Sequence, residues 1–278
     1  MSTIRAVTVL LGLLLAHLAY ADDLVRFESA RYRVGELQQR LARERGETIT
    51  PPPATIIEGY LSKPAGDGPF PAVVSLHGCS GLSHSLRMGE ADFLTALGYV
   101  ALIVDSFTPR RIVEACISAM PDRHADAIGA LAYLSKLAFV DTKHIALIGR
   151  SQGGGVGLQV ASTSDVYDVP DELSYKAVVA FYPPCRLAAD ELALPALIMI
   201  GDADDWTPVK GCERWMARRA GRGAPVKLIV YPGASHSFDS KIAGAGMTLF
   251  GHRLKYDAEA TMSAGAELRE FLRQQLTR

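Results

Sequence analysis

Three kinds of side chain in this sequence have the types and order needed for nucleophilic chemistry. The first is Ser151 in Gly149-Arg150-Ser151-Gln152-Gly153, a G-x-S-x-G string. The string carries meaning only where a strand runs into it and a helix leaves it. There the serine occupies a sharp turn whose flanking positions have no room for side chains, and its hydroxyl is presented to a substrate. A hydroxyl is a weak nucleophile until an imidazole takes its proton, and an acid must hold that imidazole in the useful tautomer. Candidates for the acid are Asp202, Asp204 and Asp205, all in the stretch Gly201-Asp202-Ala203-Asp204-Asp205-Trp206-Thr207-Pro208. Asp204 is preferred, ahead of Asp205 and then Asp202, because the acid belongs in the turn after its strand. The base is His236, in Tyr231-Pro232-Gly233-Ala234-Ser235-His236. Of the seven histidines only His236 directly follows the last expected strand; His252 lies farther on, and His84, His124 and His144 precede the nucleophile.

These residues need a scaffold that delivers them to one place. Short apolar runs at residues 56–61, 72–76, 100–104, 145–148, 177–181, 196–200 and 226–231 read as strands. Helical patterns at 88–97, 124–137, 209–219 and 258–276 alternate with them, and a glycine-rich helix start follows Ser151. Gly153-Gly154-Gly155 lets that helix approach the sheet closely. Near-continuous apolar strands separated by helices are what a mostly parallel sheet covered on both faces requires. The fold class expected is α/β, in one domain spanning residues 51–278. The chain order serine, acid, histidine is that of the α/β-hydrolases and differs from the orders in chymotrypsin and subtilisin.

A tetrahedral oxyanion needs two preorganised N–H donors. One is the amide of Gln152, next to the nucleophile. The other is expected from the loop His77-Gly78-Cys79-Ser80-Gly81 after the strand at 72–76, with Cys79 as the donor. His77 reads as loop scaffold, not as a base.

The rest of the sequence bounds the context. Its 278 residues include 29 Lys and Arg against 30 Asp and Glu, a net charge of -1. This balance argues against nucleic-acid binding, which needs a basic surface to displace counterions. With 49% hydrophobic residues the chain can bury a full core, so disorder is excluded as well. Residues 1–21 carry one positive charge, a short apolar run and Ala19-Tyr20-Ala21 before Asp22, the pattern of a secretory signal peptide cleaved after Ala21. The run is too short for a comfortable membrane span, so no stable anchor is expected and the destination is periplasmic or secreted. Residues 22–50, with Leu37 and Leu41 one helical turn apart, read as an amphipathic helical extension lying on the main body. Pro51-Pro52-Pro53 closes it. In an oxidising compartment Cys79, Cys116, Cys185 and Cys212 suit two bridges, and no C-x-x-C spacing suggests a metal site.

Taken together, Leu76-His77-Gly78-Cys79-Ser80-Gly81, Asp105-Ser106-Phe107-Thr108-Pro109-Arg110, Gly149-Arg150-Ser151-Gln152-Gly153, Phe181-Tyr182-Pro183-Pro184-Cys185, residues 201–208 and His236-Ser237-Phe238-Asp239 resemble the dienelactone hydrolase family over residues 54–275. The resemblance implies an α/β-hydrolase that attacks an ester or lactone carbonyl through a nucleophile–His–Asp triad without cofactor or metal. One departure is Ser151 where the founding members carry cysteine. The expected activity is therefore serine hydrolysis of a small-molecule carboxylic ester or lactone, through Ser151, His236 and Asp204 and an acyl-enzyme. Thioester or peptide cleavage by the same triad, or a non-catalytic binding role on this scaffold, are the alternatives. Trp206, Phe107 and Tyr182, on neighbouring loop ends, are candidates for lining the substrate pocket. Cys185 and Cys212 sit on loops at the carboxyl edges of neighbouring strands and are expected to pair. Cys79–Cys116 would then tie the oxyanion loop to the loop after Arg111.

Overall fold

The computed structural model describes residues 22–162, 166–168, 170 and 172–277; the expected leader lies outside them. The apolar runs become strands of one eight-stranded sheet in the order β1-β2-β4-β3-β5-β6-β7-β8. These strands are β1 (Asp23–Glu28), β2 (Ile56–Ser62), β3 (Phe70–Leu76), β4 (Val100–Asp105), β5 (Val140–Arg150), β6 (Ala177–Phe181), β7 (Ala196–Gly201) and β8 (Val226–Tyr231). From β4 through β3 to β8 every pairing is parallel, while β1 and β2 join antiparallel. Burial follows position in the sheet. Every residue of β4, β6 and β7 is buried, whereas the edge strands β1 and β8 are largely in contact with solvent. Interior strands covered on both faces are therefore apolar over most of their length, with polar residues such as Asp105 at their ends. This is the α/β-hydrolase fold.

Helices α2 (His84–Ala96) and α6 (Ala258–Leu276) meet where Arg269 lies over the Phe93 ring, and α6 also packs on β5, β6 and β7. Helix α3 (Arg123–Leu134) packs against α4 (Gln152–Val160). A 3-10 turn at Cys185–Leu187, after β6, packs against both α4 and α5 (Val209–Arg219). Side-chain caps fix the helix starts: Ser83, Asp122 and Asp257 accept from the amides of Leu86, Ala125 and Ala260. The Ser83 cap begins α2 four residues before the apolar pattern becomes visible.

Residues 22–50 differ from the expected helical extension. Their first third is β1, whose Phe27 is buried and stacks on Tyr133 at 5.3 Å between centroids. The sheet thus starts well before residue 51. A helix, α1 (Glu36–Glu44), does form, but Leu37 and Leu41 are exposed and only Ala42 is buried. The two leucines lie on a solvent face because the apolar stripe is one residue wide in a run of Glu, Gln and Arg, too narrow to dock. A short hairpin, β9 (Met247–Leu249) with β10 (His252–Leu254), was not expected from the sequence. No helix among the described residues is long and apolar enough to cross a membrane.

Candidate active site

The end of β5 explains the glycines around Ser151. Ser151 is a non-glycine residue with φ 52° and ψ −117°, in the sparsely populated left-handed half of backbone space. A Cβ on Gly149 would lie 2.1 Å from the Gly153 carbonyl oxygen, and one on Gly153 would lie 2.5 Å from that of His77. Both positions are closed to any side chain. The turn is held by Ser151 N donating to Phe181 O at 2.9 Å and Gly155 N donating to Ser151 O at 3.0 Å.

That turn delivers the serine to His236. The Nε2 of His236 lies 3.0 Å from Ser151 Oγ, and its Nδ1 lies 2.8 Å from Asp204 Oδ2. Both His236 and Asp204 are almost fully buried. Asp204 Oδ1 accepts from the amides of Trp206 and Thr207 at 2.9 and 2.8 Å, and the Thr207 hydroxyl lies 2.8 Å from Oδ2. Burial opposes the charge on Asp204, but its bonds to His236 and Thr207 outweigh that cost and hold the carboxyl below the usual carboxylate range. The rival aspartates are engaged elsewhere. Asp202 accepts from Gly233 N, and Asp205 accepts from Arg253 N and faces His252 at 3.5 Å. Gly201 lets the two loops meet, since a Cβ there would lie 1.9 Å from Ala234 O.

The Gly78-Cys79 loop crosses beside the serine; a Cβ on Gly78 would touch Ser151 Cβ at 3.6 Å. Cys79 is bonded to Cys116, and Cys185 to Cys212. Ala115 N donates to Cys79 O at 2.8 Å, and the Gln152 side-chain amide donates to Ala115 O at 2.9 Å. Beneath them lies a residue the sequence did not single out. Arg123 is fully buried and donates to His77 O at 2.7 Å and to Gln152 Oε1 at 3.0 Å, so one guanidinium ties the loop after β3 to the residue that follows Ser151. Burial, with the nearby Arg110, lowers its pKa to about 10, partly offset by Asp126. His77 is buried and neutral. Its Nδ1 lies 2.7 Å from Gly78 O and its Nε2 accepts from Ser106 N at 3.3 Å, which assigns the proton to Nδ1. Burial, reinforced by Arg123, pushes the His77 pKa well below its ordinary value.

A cleft of about 650 Å³ opens from Ser151 and His236, within the range of small-molecule sites. Trp206 and Tyr182 line it, with rings 5.1 and 4.7 Å from that of His236. Phe107 does not line it, contrary to expectation. The turn after β4 directs its ring inward, where it packs edge-on against His77 at 4.6 Å and beneath Arg123, and it is 2% exposed. One wall holds a second buried network. Arg150 donates to Glu90 at 2.8 Å and to Asp239 at 2.9 Å, Ser75 donates to Glu90, and the Tyr182 hydroxyl donates to Asp239. Burial opposes the charge of Arg150, but the two carboxylates prevail and raise its pKa. The signals for this network were in plain view, since Arg150 lies inside the serine motif and Asp239 three residues past His236. Its third member, Glu90, comes from α2 and has no motif. Among the described residues no group of His, Cys, Asp and Glu is arranged to hold a metal.

Comparison with known proteins follows the same lines. Residues 57–276 match the model of the Dienelactone hydrolase family, most of the chain. The chain belongs to that family. Membership carries the enzyme class, carboxylic-ester hydrolysis. A Methylorubrum extorquens protein named as a carboxymethylenebutenolidase is 25% identical over 254 residues, 82% of this chain and 80% of that one. A Klebsiella pneumoniae crystal structure described as a dienelactone hydrolase superposes with a TM-score of 0.64 at 18% identity, covering 91% of this chain and all of that one. A propionate-bound esterase from Thermogutta terrifontis superposes with a TM-score of 0.59 at 17% identity, covering 78% of this chain and 89% of that one. At these identities the solved structures speak to the fold alone.

Proposed function

We propose that this dienelactone hydrolase family member is a serine hydrolase cleaving carboxylic esters or lactones through Ser151, His236 and Asp204. The observation that carries the reading is the unbroken hydrogen-bonded chain Ser151 Oγ–His236–Asp204, at 3.0 and 2.8 Å. His236 Nε2 takes the hydroxyl proton as Ser151 Oγ bonds to the carbonyl carbon. Negative charge moves to the carbonyl oxygen, where the N–H groups of Cys79 and Gln152 receive it; neither has an acceptor among the described residues. Collapse of the tetrahedral species breaks the bond to the alcohol oxygen, which leaves with the proton from His236. Water, activated by the same imidazole, then releases the acid and restores Ser151.

The compartment follows the same reading. Among the described residues all four cysteines are paired and no helix can span a membrane, which fits an exported protein. Residues 1–21 supply the export signal, and the enzyme works in the periplasm or outside the cell.

The test is Ser151→Ala, assayed with p-nitrophenyl acetate beside fluorophosphonate labelling. Turnover is expected to fall by at least about a thousandfold, and labelling to vanish. Unchanged turnover in a folded variant removes Ser151 from the reaction. A panel of esters, lactones, thioesters and peptides then separates ester hydrolysis from the other reactions open to the same three residues.

A further inference from the structure

Three helical glycines, Gly89, Gly211 and Gly265, have no packing reason to be glycine. Gly129 on α3 and Gly157 on α4 sit where a Cβ would meet Glu28 O at 2.3 Å and Val178 Cγ1 at 3.0 Å. By contrast Gly89, midway along α2, and Gly265, midway along α6, would have nothing within 4 Å of an added Cβ. Glycine in a helix interior costs backbone entropy that alanine would not. Gly211 also faces open space, but it lies in the first turn of α5 and away from the cleft. Gly89 and Gly265 both line the cleft that begins at Ser151. At these two positions the helices turn no side chain to the same hollow.

The other walls of that hollow are mostly apolar, with small hydroxyl residues such as Ser83, Ser85, Ser240 and Thr261 among them. Leu86 and Phe93 come from α2, Leu268 from α6, Met247 and Leu249 from β9, and Ile242 from the preceding turn. Ile242 and Met247 are 59% and 39% exposed, so the apolar lining reaches solvent. The charged groups among them are spent on one another. Arg150 is closed by Glu90 and Asp239, which leaves that trio one negative charge in excess and makes it a poor receiver of an anion. Lys241 stands exposed where the wall meets solvent.

From this we infer that the cleft is a channel for an unbranched hydrocarbon chain, and that the preferred substrates are uncharged esters carrying such a chain beyond acetate length. The inference rests on Ser151 as the nucleophile and deepens that reading by naming the substrate class. The chain runs between α2 and α6 over Gly89 and Gly265, with the ester at Ser151.

Two substrate series test it with the intact, oxidised protein: p-nitrophenyl esters from acetate to dodecanoate, and acetates of alcohols from ethanol to dodecanol. In one of the two, kcat/KM is expected to rise by about fourfold per methylene over the first several additions, the ratio given by ~0.8 kcal/mol per buried methylene. The series that rises identifies whether acid or alcohol occupies the channel. Gly265→Phe and Gly89→Phe should move the optimum to shorter chains, while Gly265→Ala should move it little and raise the melting temperature. If a phenylalanine variant does not fold, Gly265→Leu gives the smaller shift in the same direction. Active protein with a flat or falling profile in both series overturns the inference and leaves the nucleophile standing. A rise whose optimum stays unmoved in folded Gly89→Phe and Gly265→Phe overturns the assigned path. Protein inactive on every ester overturns the reading of Ser151 and this inference with it.

Discussion

His77 is the residue whose environment most constrains how the molecule responds to acid. Both ring nitrogens are engaged in the neutral form, so a second proton would set an N–H against the Ser106 amide, with the Arg123 guanidinium close by. The folded state therefore binds fewer protons at His77 than the unfolded state between the depressed folded value and the ordinary value of 6.5. The stability from neutral His77 is fully present above pH 6.5 and declines as the pH falls toward the depressed folded value. The expected slope is up to about 1.4 kcal/mol per pH unit. His124, half-buried on α3, has a lowered pKa as well, for which partial burial is the main cause, and adds a slope of the same sign. Urea unfolding of wild type and His77→Gln at pH 7.5 and 5.5 isolates the His77 share. The variant should be less stable at pH 7.5 and lose less on acidification, and equal losses would refute the neutral assignment. Ser151 and His236 were legible in the sequence because each immediately follows a strand whose apolar run is plain. Arg123 was not. A charged residue at the start of an amphipathic helix looks like a solvated terminus until the fold buries it.

At the scale of elements, the loop bearing Cys79 and the turn bearing Gln152 are stitched together by a disulfide, a main-chain bond and two side-chain bonds. Preorganised donors need such support, because a misplaced N–H cannot stabilise an oxyanion. The two bridges should consequently behave differently when removed. Replacing Cys79 and Cys116 with serine should lower kcat by about tenfold or more with a smaller change in KM, since the bridge lies beside the proposed oxyanion donor. Replacing Cys185 and Cys212 should instead cost about 3.5 kcal/mol of stability by the chain-entropy account for a separation of 27 residues, with kcat within about twofold of wild type. Equal effects on kcat would count against the oxyanion role of the Cys79 loop. The strands β2 to β7 and helices α5 and α6 were readable because an interior strand is mostly apolar and a long helix repeats its stripe; β8, an edge strand, was readable from its Val, Leu, Ile and Val alone. The β9–β10 hairpin escaped because three-residue strands have no period to read. Strand β1 escaped because an edge strand with one buried aromatic, Phe27, among Asp, Arg and Glu resembles the charged helix that follows it.

Considered as a whole molecule, the sheet is parallel where the chemistry is and antiparallel at the margin that starts the chain. Strand β1 covers the free edge of β2, and an uncovered edge offers unpaired main-chain groups to other molecules. A chain beginning at residue 31 should therefore lose several kcal/mol, mostly with the burial of Phe27 against Tyr133, and should associate on concentration. Urea midpoints and light scattering measure the two effects; a soluble protein with an unshifted midpoint would show β1 to be dispensable. The same margin has a practical meaning. Asp22 precedes β1 by one residue, its carboxylate receives the Ser62 hydroxyl, and Arg87 lies 3.4 Å away. With the proposed leader ending at Ala21, a single amino acid would separate it from β1. A signal peptidase cutting a few residues late would unpick the hem of the sheet. An affinity tag belongs after α6, where Thr277 ends the described chain in solvent.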